Sequence, residues 1–255
     1  MRSGAAAGID FESVRRGRRV TEVDRSRRLL LDPRGRAHYR MNVHSMSRPT
    51  PTPIPYRKSP APRQEQVQKI ADKREAILAA ALDLFAERGF HGTAVPLVAE
   101  RAKVGAGTIY RYFASKEELV NALFRLQKAS LGQALMRGFP FDAPAREQFH
   151  SFWKRAAAFA KSHPQALRFL ELHHHQDYLD AESRQIELRV LTPAHAFFEL
   201  ARRNQVMKPF PSDLLMAVVW GSFVGLVKAS WAGHLELTAK VLDQAERCCW
   251  EAIRR

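Results

Sequence analysis

REAILAAALDLFAERGFHGTAVPLVAERAKVGAGTIYRYFASKEELVNAL, residues 74–123, is the stretch that decides the fold. Its apolar residues recur three, four and seven positions apart, which is the spacing of amphipathic helices. Ile77, Ala81, Leu84 and Phe85 show this pattern most clearly. We therefore predict three short helices and the start of a fourth within this stretch.

Local signals set the ends of the first and fourth helices. Asp72 with Glu75 three residues later fits a capping box, and Gly89 is a typical C-terminal stop. Ser115 with Glu118 repeats the capping-box pattern. We expect the first helix to lie between the first box and the glycine, and the fourth to begin after the serine.

The second and third helices form a predicted helix-turn-helix between Pro96 and Phe113. Pro96 fits the first turn of a helix, where its missing N–H costs nothing, and this helix should end near Ala102. The third helix is predicted over about 106–112, with Ile109 and Phe113 four residues apart facing the core.

The third helix carries side chains suited to DNA. A recognition helix lies in the major groove, about 12 Å wide, and places its side chains at base edges. Thr108 and Tyr110 offer hydroxyls for bases or phosphates, and Arg111 offers a guanidinium. Lys116, at the start of the fourth helix, combines a cation with free N–H groups and predicts a phosphate contact. Ala99 is the small residue expected where the two helices cross.

The same stretch resembles the DNA-binding domain of the TetR family of bacterial repressors. GTIYRYFASKEEL downstream of an LF…GF helix is the most specific part of the resemblance. The matching residues are Ile77, Ala81, Leu84, Phe85, Gly89, Phe90, Thr93, Val98, Ala99, Ala102, Val104, Gly107, Thr108, Ile109, Tyr110, Tyr112, Phe113, Ser115, Lys116 and Glu117.

The resemblance implies an all-α homodimer with an N-terminal three-helix DNA-binding domain, a C-terminal ligand-binding domain and a palindromic operator. A repressor released by a small-molecule effector is the expected function. Taking the family's contacts together with the side-chain chemistry above, the predicted DNA-binding residues are Thr93, Val95, Pro96, Ala106, Gly107, Thr108, Tyr110, Arg111, Tyr112 and Lys116.

Three positions depart from the family pattern. Lys103 stands where the family usually has glycine, at a cost of about 1 kcal/mol if the turn needs a left-handed backbone. Gly105 replaces a frequent helix-capping Ser or Thr. Ala94 replaces a frequent Thr and removes a possible phosphate contact. We expect these departures to affect affinity rather than the class of protein.

Charge and composition divide the chain into three parts. The net charge of +15 is concentrated near the N-terminus, with about +10 in residues 1–71. We predict a disordered basic, proline-rich tail over 1–66, a helix-turn-helix domain over 67–126, and a helical effector-binding and dimerisation domain over 127–255. The tail is either a non-specific DNA-binding arm or upstream sequence preceding a true start at Met41 or Met46.

Beyond residue 126 the sequence pattern remains helical. Proline-containing segments predict helices near 145–162, 165–178, 181–204, 212–232 and 236–254. By the resemblance, the last two helices form the dimer interface. The residues predicted there are Gly221, Gly225, Leu237 and Val241.

Aromatic residues of the C-terminal part are candidates for an effector site, because such cavities are mostly apolar and aromatic. A histidine in such a pocket could donate or accept a hydrogen bond. The candidate ligand-binding residues are Trp153, Phe169, His173, Phe197, Trp220 and Phe223.

Several observations argue against other classes of protein. Cys248 and Cys249, the only cysteines, exclude a disulfide framework and fit a reducing cytoplasm, and we expect both thiols to be buried and inert. The apolar stretch 214–227 is shorter than the roughly 20 residues of a membrane span. We therefore expect a cytoplasmic protein without a membrane partner.

No pattern indicates an enzyme. Consecutive histidines at 173–175 point about 100° apart on a helix, so they cannot converge on one metal ion. We predict no catalytic residue, no cofactor and no metal. Two other hypotheses remain open: a metal-dependent enzyme using residues 173–177, and a sequence-independent DNA compactor driven by the basic tail.

Overall fold

The computed structural model describes residues 63–255, with side chains from residue 67, and the backbone of two short strands nearer the N-terminus. These strands, β1 (Leu29–Leu31) and β2 (Ala37–Tyr39), pair antiparallel in a unit separate from the helical one. The predicted tail over 1–66 otherwise lies outside the described residues, except where the first helix begins inside it.

Between residues 63 and 255 every regular element is an α-helix, which confirms the predicted fold class. The helices are α1 (Arg63–Arg88), α2 (Val95–Arg101), α3 (Ala106–Tyr110), α4 (Lys116–Met136), α5 (Ala145–Ser162), α6 (Pro164–Leu172), α7 (Ala181–Arg203), α8 (Ser212–Trp231) and α9 (Ala239–Ile253).

The helices share one continuous apolar core. Helix α1 packs on α2, α4 and α6, whereas α4 also packs on α5 and α7. Phe85 and Ile109 are fully buried at the N-terminal end, and Trp153 and Phe223 at the C-terminal end. Helices α4 and α6 therefore link the helix-turn-helix to the remainder of the helical unit.

Helix α1 begins at Arg63, so the start predicted at Asp72 is wrong. Asp72 lies inside the helix, where its carboxylate accepts a hydrogen bond from the side chain of Gln68 four residues earlier. Residues 63–76 are mostly Gln, Glu, Lys, Arg and Ala, which favour helix and contain no breaker. Helical propensity extends α1 through the predicted capping box.

Helix α6 ends at Leu172, six residues before its predicted end. The backbone of His173 is extended, and the imidazole of His175 lies 2.6 Å from the carbonyl oxygen of Phe169 through Nε2. The His175 side chain thus bonds to the carbonyl that would accept the backbone hydrogen bond of residue 173 if the helix continued. Residues 173–180 form a linking segment before α7, which begins at Ala181 as predicted.

Candidate nucleic-acid interface and effector cavity

Helix α2 supports the shorter α3 through its buried side. Val98 and Ala99 are buried, and α2 contacts both α1 and α3. Ala94 precedes α2 in an extended conformation but offers no side-chain hydrogen bond, because alanine has no acceptor. Pro96 lies exposed in the first turn, as predicted.

Two predicted DNA contacts, Thr93 and Val95, are buried, and for their side chains the prediction is wrong. Thr93 is 1% exposed, and its hydroxyl lies 2.9 Å from the Gly89 carbonyl oxygen and 3.2 Å from that of Leu84, which share its one proton. Val95 packs in the core. A buried hydroxyl needs an internal partner, so Thr93 fastens the turn after α1 instead of reaching DNA.

The turn between α2 and α3 does need a left-handed residue. Lys103 has φ of +55° where glycine would adopt this conformation without strain. The turn is closed by hydrogen bonds from the Lys103 N–H to the Glu100 carbonyl and from the Val104 N–H to the Ala99 carbonyl. The conformation expected at this departure from the family pattern is therefore present.

Helix α3 presents a mixed polar and aromatic face to solvent. Ile109 and Phe113 are buried and fix the helix to the core, as predicted. Tyr110 is 54% exposed, and Thr108 is partly exposed. Gly105 caps α3 without a side-chain bond. The other predicted contacts on this segment are exposed or half-buried, and they are Ala106, Gly107, Arg111 and Tyr112.

The start of α4 lies directly after this face. The Ser115 hydroxyl accepts a hydrogen bond from the Glu118 N–H at 3.1 Å, and the Glu118 carboxylate accepts one from the Ala114 N–H at 2.6 Å. This confirms Ser115 as the cap of α4, whereas the reciprocal bond of Glu118 goes to the N–H of Ala114 instead of that of Ser115. The ammonium of Lys116 lies 4.2 Å from the centre of the Phe90 ring, and partial burial lowers its pKa from the usual value. The first turn of α4 thus holds a cation beside the exposed face of α3.

A cavity of about 280 Å³ lies between α4, α5 and α7. A second cavity of about 70 Å³ lies beside it and reaches α8. Met136, Phe152, Ala194 and Phe198 line both cavities, so the two cavities are adjacent. The wall is almost entirely apolar and aromatic, which suits an apolar small molecule.

The smaller cavity has one charged residue in its wall, Lys128. Lys128 lines the cavity and is 8% exposed, and its ammonium lies 3.4 Å from the carboxylate of Glu187. Burial raises the pKa of Glu171, against the opposing influence of Lys128 and a hydrogen bond with Trp220. The ion pair compensates the buried charge, so the cavity offers no strong net field to a charged ligand.

Comparison with known proteins gives the family. The family described as "Bacterial regulatory proteins, tetR family" matches residues 77–123, and the one described as "Tetracyclin repressor-like, C-terminal domain" matches residues 124–255. The chain belongs to the TetR family. It is therefore a helix-turn-helix transcriptional regulator that binds DNA.

Relatives and solved structures agree with membership in the TetR family. The chain is 25% identical to the HTH-type transcriptional regulator YhgD of Bacillus subtilis over 65% of this chain and 94% of YhgD. A TetR-family protein from Vibrio parahaemolyticus matches with a TM-score of 0.60 at 27% identity, covering 72% of this chain and 99% of that one. FadR from Bacillus subtilis, solved in complex with stearoyl-CoA, shares the fold, with a TM-score of 0.55 at 18% identity over 69% and 96% of the two chains.

The six aromatic and histidine residues predicted at the effector site of this TetR protein fall into two groups. Phe197 lines the larger cavity and Trp220 the smaller one. Trp153, Phe169 and Phe223 are fully buried in the core and line neither. For Trp153 and Phe169 the predicted role is wrong, because close packing surrounds their rings. Phe223 instead lines a separate cavity of about 290 Å³ together with Trp231 and Leu237, so a ligand contact at Phe223 stays a prediction.

The prediction for His173 is also wrong. Its Nε2 lies 3.3 Å from the carbonyl oxygen of Ala86 at the end of α1, and the side chain lines neither cavity. His175 contacts Phe169 and Tyr178, and His174 is exposed. Among the described residues, no cluster of three or more His, Cys, Asp or Glu could hold a metal ion.

Helices α8 and α9 share an uncovered apolar surface, which we call the α8–α9 face. Gly221 and Gly225 are exposed, and a Cβ added at either would meet no atom within 4 Å. The residues of this face are Leu214, Val218, Gly221, Ser222, Gly225, Ala229, Val241, Ala245, Cys248 and Ala252. Cys248 is exposed and only Cys249 is buried, so the expectation of two buried thiols is wrong for Cys248.

Leu237 does not belong to the α8–α9 face. It packs against the core beside Phe223 and Leu242. Helix α9 begins only at Ala239, after the Thr238 cap, so Leu237 precedes the helix whose face it was expected to share. Val241, one helical turn before Ala245, remains on the face.

Helix α8 is long and apolar enough to cross a membrane by length and composition, and 28% of this segment is buried. The predicted apolar stretch was shorter because it excluded the two ends of the helix. Apolar residues occur on all sides of α8, and the exposed Leu214 and Val218 lie on the α8–α9 face.

Sequence reasoning missed a group of polar and aromatic residues at the junction of the two TetR domains. Asn121 is 3% exposed, and its amide nitrogen donates to the carbonyls of Glu117 and Tyr178, each at 2.8 Å. Its amide oxygen accepts a hydrogen bond from the Asp180 N–H. The available signal was an asparagine among the otherwise apolar residues 119–124 of α4.

Proposed function

We propose that this TetR-family protein is a transcriptional repressor that binds a palindromic operator as a homodimer and is released by a small molecule. The observation that carries the proposal is the solvent-facing surface of α3. Thr108 and Tyr110 project from a helix whose other side is fixed by Ile109. A rigid helix with exposed hydrogen-bonding side chains fits direct readout in the major groove.

We assign distinct roles to the exposed residues. Thr108 and Tyr110 contact base edges, since the threonine methyl can meet a thymine methyl and the hydroxyls can donate or accept hydrogen bonds. Arg111 and Lys116 contact phosphates. The partly exposed Tyr112 and the segment around Pro96 contact the DNA backbone.

The homodimer is proposed from the α8–α9 face. An apolar surface rich in glycine, alanine and serine lets two helices approach closely, and it costs free energy while exposed to water. A second copy of the same chain covers it in a two-fold arrangement. The dimer then presents two α3 helices about 34–36 Å apart, or a multiple of that spacing, to successive major grooves.

The effector is proposed to occupy the two adjacent cavities, the larger lined by Phe197 and the smaller by Trp220. FadR, which shares the fold, is solved with stearoyl-CoA, and a largely apolar, uncharged molecule fits the wall of the cavity here. Because α4 lines this cavity and also leads to the helix-turn-helix, a ligand that favours one packing of α4 changes the spacing of the two α3 helices. We propose that the protein acts in the cytoplasm.

The test is selection of bound fragments from genomic DNA by the full chain, followed by footprinting and sedimentation. We expect an inverted-repeat site and a dimer. Thr108→Ala, Tyr110→Ala and Lys116→Ala should weaken binding, whereas Lys240→Ala, a matched loss of an exposed lysine on α9, should not. Binding that selects no palindrome would refute the operator.

Deleting residues 1–62 separates this function from sequence-independent compaction of DNA. The deletion ends before α1 begins, so the described helical unit stays intact. We expect the selected site to bind with little change in affinity. If binding disappears, or if selected and random fragments bind equally well, compaction by the basic tail is the better account.

A further inference from the structure

Lys116 rests on a column of aromatic rings that begins in the C-terminal domain. Its ammonium lies 4.2 Å from the centre of the Phe90 ring. The Tyr178 ring stacks on the Phe90 ring, with the two centroids 4.5 Å apart and an angle of 23° between the ring planes. The Tyr178 hydroxyl lies 2.6 Å from Nδ1 of His175. The column thus connects the first turn of α4 with the segment between α6 and α7.

The lower end of the column is fixed inside the protein. His175 is 5% exposed, its Nε2 lies 2.6 Å from the Phe169 carbonyl oxygen, and its ring lies 4.6 Å from the Phe169 ring and 5.3 Å from that of Phe124. Burial raises the pKa of the Tyr178 phenol to about 12, so the group stays protonated. The rings therefore have little freedom to move independently.

A second connection holds the same segment to α4. The carbonyl of Tyr178 accepts a hydrogen bond from Asn121, which also binds the carbonyl of Glu117 beside Lys116. Asp180, two residues after the tyrosine, caps α7 through the Ser183 N–H and pairs with Arg125 of α4 at 2.8 Å. Tyr178 is thus tied to α4 through its backbone and to Lys116 through its ring.

We infer that Tyr178 and Phe90 are positioning residues that hold the Lys116 ammonium for its contact with a DNA phosphate. This inference rests on the proposed phosphate contact of Lys116. A free lysine side chain samples many rotamers, whereas a cation held over an aromatic face has few. Without the column, Lys116 enters the contact from many conformations and neutralises the phosphate less completely.

The column also gives the C-terminal domain a direct effect on DNA binding. The segment that carries Tyr178 leads into α7, and residues 190–200 of α7 line the proposed effector cavity. A shift of α7 relative to α4 moves the tyrosine ring beneath Phe90. The phosphate contact then weakens even when the spacing between the two subunits is unchanged.

The experiment measures the salt dependence of binding to the selected site. Each neutralised phosphate contributes about 0.9 to the slope of log K against log salt, so loss of both copies of Lys116 in a dimer lowers the slope by about 1.8. We expect Lys116→Ala to show this loss, and Tyr178→Leu, which keeps the lysine but removes its support, to show a smaller loss of the same sign. The double variant should show no loss beyond that of Lys116→Ala, because both changes act on the same contact.

Two control variants separate positioning from general destabilisation. Tyr178→Phe keeps the stacked ring and loses only the hydroxyl, and it should retain the wild-type slope. Phe159→Leu, a fully buried ring of α5 outside the column, should lower the melting temperature without changing the slope. Should Tyr178→Leu fail to fold by circular dichroism, Phe90→Leu carries the same expectation.

The outcomes distinguish this inference from the proposed function. Wild-type binding to a palindrome with an unchanged slope in Tyr178→Leu would refute the column and leave the operator intact. An unchanged slope in Lys116→Ala would also refute the column, since no phosphate contact would need positioning. A wild-type protein that selected no site would refute the proposed function itself.

Discussion

Lys103 offers a test of the turn that joins α2 to α3. Its φ of +55° places a side chain in the left-handed region, at a cost of roughly 1–2 kcal/mol for an L-residue. Glycine removes this cost but gains conformational freedom in the unfolded chain, worth about 0.4–1 kcal/mol. Lys103→Gly should therefore raise the free energy of unfolding by about 0.5–1 kcal/mol, the difference between these two effects.

The assay is urea unfolding followed by circular dichroism, with Lys103→Ala as the matched control. Alanine removes the same charge but keeps the Cβ, so its stability should stay close to that of the wild type. For a protein of this size the glycine variant should melt about 1–4 °C higher. Equal or lower stability of Lys103→Gly relative to Lys103→Ala would refute the assignment of strain to this turn.

Three further perturbations test other parts of the fold. Arg146→Met leaves the buried carboxylate of Glu246 without its guanidinium partner. We expect the free energy of unfolding to fall by about 2 kcal/mol, which is less than for a fully buried pair because Arg146 is half exposed. An unchanged urea midpoint would contradict this. Hydrogen bonds, first of all from Arg202, lower the pKa of Glu199 to about 2, so its stabilising contribution is complete above its usual pKa of 4.5 and is lost as the pH falls towards 2. Glu199→Gln should therefore flatten the dependence of melting temperature on pH between 4.5 and 2, and parallel curves would refute the coupling. Ser115→Ala removes the cap of α4 and should lower the free energy of unfolding, measured in urea, by about 1 kcal/mol. Ser115→Asn is the control, because asparagine can also cap a helix, and equal losses in the two variants would refute the role of the cap.

Much of the helix-turn-helix could be predicted from sequence because its signals are local. Ser115 caps α4 as its spacing to Glu118 indicates, and Ile109 faces the core as its spacing to Phe113 indicates. The left-handed turn at Lys103 was also readable, since a family position usually held by glycine carries a backbone requirement. Each of these depends on residues within five positions of one another.

Other features depend on contacts that local patterns do not carry. Thr93 was expected to contact DNA, yet its hydroxyl is buried against the carbonyls of Leu84 and Gly89. Trp153 and Phe169 are aromatic like Phe197, and only packing decides which ring borders an empty space. Helix α6 ends where the His175 side chain contacts the Phe169 carbonyl, and the spacing of apolar residues does not predict such a contact.

The junction between the two domains was the least predictable part of the candidate site. Tyr178 lies 88 residues after Phe90 and 57 after Asn121. No sequence motif around Phe90 or Asn121 indicates that either contacts Tyr178. Such pairs arise where two helical layers meet, so they follow from the tertiary arrangement rather than from any one helix. They are nonetheless the residues that connect the proposed effector cavity with the proposed phosphate contact.

The most direct measurement of the central claim is the ratio of affinities for the selected operator and a scrambled duplex, taken at one fixed salt concentration. We predict a ratio of about 10³ or more for the wild-type protein, reduced about tenfold in Tyr110→Ala. Lys116→Ala should weaken both affinities and leave the ratio unchanged, because a phosphate contact carries no sequence information. A wild-type ratio near one, or a ratio that Tyr110→Ala leaves intact, would contradict the conclusion that the exposed face of α3 reads DNA.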